Sequence, residues 1–262
     1  NLSQILQKLF EYSITSVLVE GGSKIITSFI QQNLYDTISV FIAPKIVGTG
    51  MRAVNDMEIK KMNYSQNLEQ QYILDYFKDT ATGRYLEIGS FHPTIFSNTR
   101  ALFEKGFSGI LVEPSPICMS RLREEYENEP RITLIEAAVS NFDGVIDFKE
   151  EVNGAAVGST DEKHVEKWSR DENFKFNNIK VKSISVDTLL KEHGQNIDFL
   201  SLDVEGINYE IFQMIPDSFF ERLKCICIEH DDKYNEIEQK LITFGFSKVY
   251  FNAENLIMVK NG

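Results

Sequence analysis

Apolar residues follow two spacings along this chain, one typical of buried strands and one typical of helices. Short apolar runs occupy 85–88, 109–112, 197–202 and 225–228, and polar or turn-forming residues bound each of them. Between these runs, apolar residues recur every three or four positions, as on one face of a helix. The alternation of strands and helices predicts a parallel sheet covered on both faces, so the expected fold class is α/β.

Most of the predicted regular structure follows residue 63. The predicted strands are 85–88, 109–112, 132–136, 145–148, 179–184, 197–202, 225–228, 248–251 and 255–259. The predicted helices are 68–77, 96–105, 119–126, 186–191, 209–214 and 236–244. Ser185 is expected to cap the helix at 186–191. The segment 150–178 has mixed charges and no regular spacing, so we expect either a mobile lid or a disordered loop, with a solvated His164.

The first sixty residues predict a smaller set of elements. These are a helix, a strand, a helix and a strand, at 2–10, 16–20, 24–32 and 37–42. The stretch 51–63 is charged without regular spacing and is the expected linker, which predicts two domains, 1–62 and 63–262. Two strands cannot bury themselves alone, so we expect this part to form a homodimer contact or to pack on the larger domain. Because the first residue is Asn1, we expect a fragment or a processed chain.

Composition and charge narrow the classes of function. The 262 residues include 27 Lys and Arg against 39 Asp and Glu, which gives a formal net charge of −12. So acidic a chain offers no basic surface for DNA or RNA, and we expect no nucleic-acid partner. No apolar run approaches the roughly 18 residues of a membrane span, which favours a cytoplasmic protein.

The three cysteines fit a reducing compartment. Cys225 and Cys227 alternate with Ile226 and Ile228, so both thiols should lie buried on one face of a strand. A Cys-x-Cys pair without further Cys or His at zinc spacing does not indicate a metal site.

Residues that are candidates for ligand binding lie at the turn after the strand at 85–88. Glu87 and Gly89 close that strand, and Glu113 closes the next one, 26 positions after Glu87. Strand, turn, helix, strand and acid form a nucleotide-binding crevice in parallel sheets. Gly89 permits close approach of a ligand to the backbone, and Glu113 is placed to hydrogen-bond a ribose diol.

Short motifs lie before and after several of these strands. They are Tyr64-Ser65-Gln66, Glu87-Ile88-Gly89-Ser90, His92-Pro93-Thr94, Ser97-Asn98-Thr99, Val112-Glu113-Pro114, Ala137-Ala138-Val139-Ser140 and Leu202-Asp203-Val204-Glu205-Gly206. In this order they resemble the FkbM family of S-adenosylmethionine-dependent methyltransferases, from about residue 64 onward. The resemblance implies a Rossmann-like class I methyltransferase sheet of seven strands, the last one antiparallel.

The same resemblance implies S-adenosylmethionine as the cofactor and a set of residues that hold it. They are Gln66, Glu87, Gly89, Ser90, Asn98, Glu113, Pro114, Ala137, Ser140 and Asp203. Within the set, Glu113 is expected at the ribose and Ala137 or Ser140 at the adenine edge. Asn98 has an alternative role as a cap of the following helix.

Three residues are candidates for the base that methyl transfer to a hydroxyl requires. Asp203, Glu205 and His230 all lie at predicted strand ends. Histidine is the residue type suited to proton transfer near neutral pH, which makes His230 a candidate, and its alternative role is a structural salt bridge with neighbouring acids. Asp203 and Glu205 alone are too few ligands to indicate Mg²⁺, so no metal is expected.

The resemblance also implies the kind of acceptor, because FkbM-like enzymes often methylate sugar hydroxyls. We therefore expect O-methylation of a carbohydrate or glycosylated metabolite, with a small molecule or a glycan as the partner. Two alternatives remain: a nucleotide-binding or scaffold module without turnover, and a remnant of an NADPH-dependent reductase.

The reductase alternative comes from the first sixty residues. Their motifs are Val19-Glu20-Gly21-Gly22-Ser23, Leu34-Tyr35-Asp36 and Ile42-Ala43-Pro44-Lys45. They resemble the end of the RibD-type reductase domain of riboflavin biosynthesis, which has a dihydrofolate-reductase-like fold. The resemblance implies that the Glu20-Gly21-Gly22 turn lies against NADPH phosphates. Because most of that domain is not covered, we expect a structural remnant without reductase activity.

Overall fold

The computed structural model describes residues 2–12, 14, 16–19, 23–32, 34, 63–171 and 173–261. The chain divides into two compact units, residues 1–62 and residues 63–262. Among the described residues, no helix is long and apolar enough to cross a membrane.

The described part of the first unit contains two helices, α1 (Leu2–Glu11) and α2 (Ser23–Gln31). Both confirm predicted helices. Residues 16–19, predicted as a strand, have no regular secondary structure. A strand needs a neighbouring strand for its hydrogen bonds, and the predicted neighbour at 37–42 lies outside the described residues. The Glu20-Gly21-Gly22 turn and the predicted linker at 51–62 also lie outside them.

The second unit is built mainly from strands. They are β1 (Arg84–Ile88), β2 (Ser108–Val112), β3 (Ile132–Ile135), β4 (Ala138–Ser140), β5 (Gly144–Glu151), β6 (Phe176–Ser185), β7 (Phe199–Leu202), β8 (Cys225–Glu229), β9 (Phe246–Phe251) and β10 (Asn255–Lys260). Seven of them form one sheet in the order β3-β2-β1-β7-β8-β10-β9. Strand β10 runs antiparallel to both β8 and β9, while the other neighbours are parallel. This confirms the predicted α/β sheet of seven strands with a reversed last strand.

A smaller sheet carries strands β4, β6 and β5 in that order. Strand β5 pairs with β6 over its whole length, from Gly144 opposite Ser183 to Glu151 opposite Phe176. Both strands are longer than predicted, because each supplies the hydrogen-bonding partner of the other's extension. The predicted irregular segment is correspondingly shorter and also contains a helix.

Eight helices belong to the described part of the second unit. They are α3 (Glu69–Tyr76), α4 (Arg100–Lys105), α5 (Pro116–Tyr126), α6 (Glu162–Trp168), α7 (Val186–His193), α8 (Asn208–Met214), α9 (Asp217–Phe220) and α10 (Tyr234–Thr243). Ser185 caps α7 as predicted, since its Oγ accepts a hydrogen bond from the Thr188 N–H at 3.1 Å. Helix α4 begins four residues later than position 96, because Phe96 has a φ of 58°, which a right-handed helix does not include.

The large sheet is buried on both faces by two separate apolar clusters. Ile226 and Ile228 face one cluster, while Cys225 and Cys227 face the other. Burial raises the pKa of the Cys227 thiol, and the three cysteines are free. The prediction that the strand buries both thiols on one face is confirmed.

The buried carboxylate of Glu69 joins the start of α3 to the turn between β9 and β10. Glu69 is 0% exposed, and its Oε2 accepts a hydrogen bond from the Asn67 N–H at 2.8 Å. Its Oε1 accepts from Nδ2 of Asn252 at 3.0 Å and from Nδ2 of Asn255 at 3.2 Å. A charged acceptor that satisfies several buried donors stabilises the fold strongly.

Replacement of this carboxylate is expected to destabilise the second unit. In Glu69→Leu the buried donors lose their acceptor, so the free energy of unfolding should fall by about 3 kcal/mol. Urea unfolding followed by circular dichroism measures the change. The exposed helix residue Glu210 provides the control, and Glu210→Leu should change stability by less than about 0.5 kcal/mol. Equal losses in the two variants would contradict the assignment.

Candidate active site

A cleft with a cavity volume of about 100 Å³ opens at the carboxyl ends of β1, β2 and β7. Ligand sites in open α/β sheets lie at this edge. Of the residues that the sequence suggested, the cleft is lined by Gln66, Gly89, Ser90, Glu113, Pro114, Ala137, Asp203 and Glu205. Glu87, Asn98, Ser140 and His230 are not part of its lining.

Gly89 forms the bend after β1, with a φ of 87°. Its N–H donates to the carbonyl oxygen of Val112 at 2.9 Å. A Cβ atom at this position would lie 1.6 Å from the carbonyl oxygen of Asp203. The left-handed conformation and the close contact both require glycine. The bend therefore brings the ends of β1, β2 and β7 together at one point.

Glu113 follows β2 and forms part of the cleft wall. Its Oε2 accepts a hydrogen bond from the Phe91 N–H at 2.9 Å, and its Oε1 accepts from the Ser115 N–H at 2.8 Å. Burial raises the pKa of Glu113 to about 7, although these two donors favour the charged form. A carboxylate has about four lone-pair positions, so two acceptor positions remain for a ligand hydroxyl pair.

Two further carboxyl groups line the cleft, Glu150 and Glu151 at the end of β5. Glu150 Oε1 accepts a hydrogen bond from Ser115 Oγ at 2.6 Å. Glu151 Oε2 accepts from the N–H groups of Asn153 at 2.8 Å and Ala155 at 3.1 Å. Neither residue was predicted from the sequence. The only signal for them was a pair of acids in front of a turn containing glycine.

Glu87 and Asn98 lie behind the cleft. Glu87 Oε2 accepts a hydrogen bond from Thr99 Oγ1 at 2.8 Å, and burial raises the pKa of Glu87 to about 8. Asn98 Nδ2 donates to Ser201 Oγ at 3.4 Å and does not cap α4. Both side chains therefore hold the segment before α4 against the buried sheet.

Asp203 and Glu229, at the ends of β7 and β8, form a hydrogen-bonded carboxyl pair. Burial raises the pKa of Asp203 well above its usual range, and the negative charges of Glu229 and Glu205 raise it further. Burial also raises the pKa of Glu229 to about 7. Asn208 is 0% exposed and donates to Glu229 Oε2 at 2.7 Å, which fixes the orientation of that carboxyl. A carboxyl pair whose affinity for a proton is raised in this way has the properties of a general base.

Glu205 connects the end of β7 to the region of α6. It has a φ of 57°, and its carbonyl oxygen accepts a hydrogen bond from Ser159 Oγ at 2.6 Å. Its Oε2 lies 3.1 Å from His164 Nε2, although the two groups are not aligned for a hydrogen bond. The His164 side chain is only 12% exposed, so the expectation of a solvated histidine is wrong. Packing against the Glu205 turn excludes it from water.

His230 and Ser140 have partners outside the cleft. His230 is 3% exposed, its Nδ1 accepts from the Asp232 N–H at 3.2 Å, and its ring stacks on Phe251 at 5.2 Å. Ser140 Oγ lies 2.6 Å from Ser183 Oγ and joins β4 to β6. The structure therefore does not bring His230 together with Asp203 and Glu205 in the cleft.

The segment after β5 forms one wall of the cleft, through Gly154, Ala155, Ala156, Gly158 and Thr160. Asp161 caps α6 within it, by accepting hydrogen bonds from the N–H groups of Lys163 and His164 at 3.2 Å. The segment thus lines the cleft, and its movement as a lid stays a prediction. In the described part of the chain, no three His, Cys, Asp or Glu side chains are grouped to hold a metal ion.

The N-terminal part is similar to proteins of riboflavin biosynthesis. Residues 1–81 match the family model of the RibD C-terminal domain. The riboflavin biosynthesis protein RibD of Aquifex aeolicus is 38% identical over 79 residues, which are 30% of this chain and 22% of that protein. The RibD protein of Actinobacillus pleuropneumoniae is 29% identical over 86 residues, 29% of this chain and 23% of that protein. The chain thus spans less than a quarter of these curated relatives.

The larger part is similar to methyltransferases. A crystal structure of a methyltransferase FkbM from Methylobacillus flagellatus KT aligns with a TM-score of 0.45 and 9% identity, covering 68% of this chain and 44% of that one. The family model of the methyltransferase FkbM domain matches residues 85–250. That range includes Gly89, Glu113 and Asp203. Because the match covers more than half of the sequence, the chain belongs to the FkbM methyltransferase family.

Proposed function

We propose that this chain is an S-adenosylmethionine-dependent O-methyltransferase that acts on a hydroxyl of a carbohydrate or glycosylated metabolite. One observation carries the proposal: Gly89, Glu113 and Asp203 line a single cleft at the carboxyl edge of the parallel sheet. The first two residues suit a nucleoside, and the third belongs to a carboxyl pair that takes up a proton.

The cofactor fits the residues that are present. Gly89 lines the cleft at the bend after β1, and Glu113 keeps acceptor positions for a ribose diol. Ala137 is available at the adenine edge, and Gln66 and Ser90 supply further polar groups in the lining. When bound there, S-adenosylmethionine would supply an activated methyl group on a sulfonium.

The chain's own residues supply alignment and a base. The cleft brings the two reactants together, and Asp203 accepts the proton that the acceptor hydroxyl loses. Glu229 and Asn208 position Asp203 and do not touch the acceptor. Glu205 lines the same end of the cleft and is the second candidate for the base.

The carbohydrate acceptor is supported by aromatic side chains at the cleft. Phe91 and Phe96 line it, with their rings nearly parallel at 22° and their centroids 6.3 Å apart. Phe96 is 52% exposed, so a face of its ring is available to a ligand. Sugar rings pack their C–H faces on such aromatic surfaces while carboxylates accept from their hydroxyls.

Calorimetry with S-adenosylmethionine and S-adenosylhomocysteine tests the cofactor, and labelled methyl transfer to an acceptor panel tests turnover. Binding of both ligands together with transfer supports an enzyme. Binding without transfer to any acceptor would favour the alternative of a binding or scaffold module. No binding of either ligand would refute the proposal.

Glu113→Gln is expected to weaken binding of S-adenosylmethionine at least about tenfold. The new side-chain NH2 group would face a backbone N–H, so two hydrogen-bond donors would lie opposite each other. In the unaltered protein, donor affinity should rise as the pH increases through about 7, where Glu113 ionises. This pH dependence should flatten in Glu113→Gln. Isothermal titration between pH 6 and about 8.5 measures both effects. The exposed Glu124 offers the control Glu124→Gln, which should behave like the unaltered protein.

For the N-terminal residues 1–62 we propose a remnant of a reductase domain that serves as a contact between two copies of the chain. The short span of the match to RibD proteins supports the remnant. We also propose a cytoplasmic location without nucleic-acid partners, supported by the net charge of −12 and by three free, buried cysteines.

A further inference from the structure

The cleft has an unusual balance of charge for a group-transfer site. Five carboxyl side chains line it, from Glu113, Glu150, Glu151, Asp203 and Glu205. Among the described residues that line it, none is Lys, Arg or His.

One basic side chain of the described chain has an ion-pair contact with these carboxyls, His164, whose Nε2 lies 3.1 Å from Glu205 Oε2. No Lys or Arg in that part forms an ion pair with any of the five. The partners of Glu150 and Glu151 are backbone N–H groups and a hydroxyl. Such donors stabilise a carboxylate without cancelling its charge. Asp203 and Glu113 hold a proton more readily than ordinary carboxyls, because burial raises the pKa of both. No Lys or Arg in the described chain offsets the other three carboxyls of the lining, so the cleft still carries a net negative potential.

Arg121 lies beside the cleft wall but is directed at the backbone. Its Nη1 donates to the Gly154 carbonyl oxygen at 2.7 Å, and its Nη2 donates to the Asn153 carbonyl oxygen at 2.7 Å. The guanidinium thus supports the turn after β5 from outside. It offers no paired N–H groups to a phosphate or carboxylate in the cleft.

We propose that this cleft selects its acceptor by charge: it takes a neutral or amine-bearing polyhydroxylated ring and rejects sugar phosphates, uronates and nucleotide-linked sugars. The inference deepens the proposed function and rests on it. The negative potential favours the positive sulfonium of the donor, and it repels an anionic group held close to the reacting hydroxyl. Sites built for phosphates instead present Arg, Lys or free N–H groups.

Matched ligands that differ in one charged group test the inference. The full chain is first saturated with S-adenosylhomocysteine. It is then titrated with four ligands: a methyl hexoside, the corresponding 2-amino sugar, the 6-phosphate and the uronate. Ligand-observed NMR measures the binding of each. We expect the neutral and amino members to bind at least tenfold more tightly than the two anions. Equal or tighter binding of either anion would overturn the charge selection. If none of the four binds, the polyhydroxylated-ring assignment is wrong.

The saturation step separates this inference from the function on which it rests. If S-adenosylhomocysteine itself does not bind, the methyltransferase proposal fails and the charge selection fails with it. If it binds and the anionic ligands are preferred, only the charge selection fails.

A charge placed in the cleft wall provides a second test. Thr160 lines the cleft at a half-buried position and has no role in the proposed chemistry. Thr160→Lys should bind the 6-phosphate at least tenfold more tightly than the unaltered protein. Thr160→Met, of similar length and uncharged, should not. An unchanged phosphate affinity in a folded Thr160→Lys would count against the inference, and the ligand series on the unaltered protein decides it if that variant does not fold.

Discussion

Gly89→Ala is expected to abolish measurable binding of S-adenosylmethionine and to lower the free energy of unfolding by about 3 kcal/mol or more. The added Cβ would lie 1.6 Å from the Asp203 carbonyl oxygen, which is backbone and cannot rotate away. Relief of the clash must separate β1 from the end of β7, and this opens the bend that the donor is proposed to occupy. Urea unfolding and titration with S-adenosylhomocysteine measure the two effects.

Gly245 provides a matched control because it also has a positive φ, of 82°, but no atom lies within 4 Å of the position of its Cβ. Gly245→Ala should therefore show only the strain of a left-handed alanine, about 1 kcal/mol, with donor affinity unchanged. If Gly89→Ala behaves like Gly245→Ala, the close contact at the bend has no functional importance.

Asp203→Asn is expected to reduce methyl transfer at least about 100-fold, because an amide cannot accept the proton of the acceptor hydroxyl. The unaltered enzyme should become faster as the pH rises and the Asp203–Glu229 pair loses its shared proton. Rates with the acceptor found in the panel, measured across pH, test both statements. Asp217→Asn is the control, since the side chain of Asp217 is 72% exposed. If Asp203→Asn is fully active, Asp203 is not the base, and Glu205 becomes the candidate.

The same substitution should increase stability at high pH. The folded-state pKa of Asp203 is raised above its usual value, so its contribution to stability is complete below about pH 4 and is lost as the pH rises through the folded-state pKa. Above that pKa a buried, ionised Asp203 faces two other acids. Asp203→Asn removes this charge, so the variant should be more stable than the unaltered protein above that pKa and should lose this advantage as the pH falls. Urea unfolding of both proteins across pH measures the difference.

The main sheet was predictable because its strands are buried on both faces and therefore appear as short, continuous apolar runs. The smaller sheet was harder to predict from the same pattern. Only part of β5 and β6 is apolar, and the extensions beyond the predicted bounds pair polar residues, with Lys149 opposite Asn178 and Glu150 opposite Asn177. Local spacing contains no information about such long-range pairing. The start of α4 was missed for a different reason, the left-handed Phe96.

The candidate site was predictable where a residue's direction follows from its place at a strand end. Gly89, Glu113 and Asp203 end neighbouring parallel strands, so they converge. Glu87 and His230 also lie at or near strand ends, but their side chains are buried against other parts of the fold. Glu150 and Glu151 reach the cleft from the smaller sheet, whose position relative to the main sheet no motif indicated.

The placement of β10 has a consequence for the order of events during synthesis. This strand follows β9 along the chain, yet it lies inside the sheet between β8 and β9. Until residues 255–260 have left the ribosome, β8 has an unprotected edge and β9 has no neighbour to hydrogen-bond with. The second unit therefore cannot complete its fold before these residues emerge, and until then the apolar edge strand β8 is open to pairing with other chains.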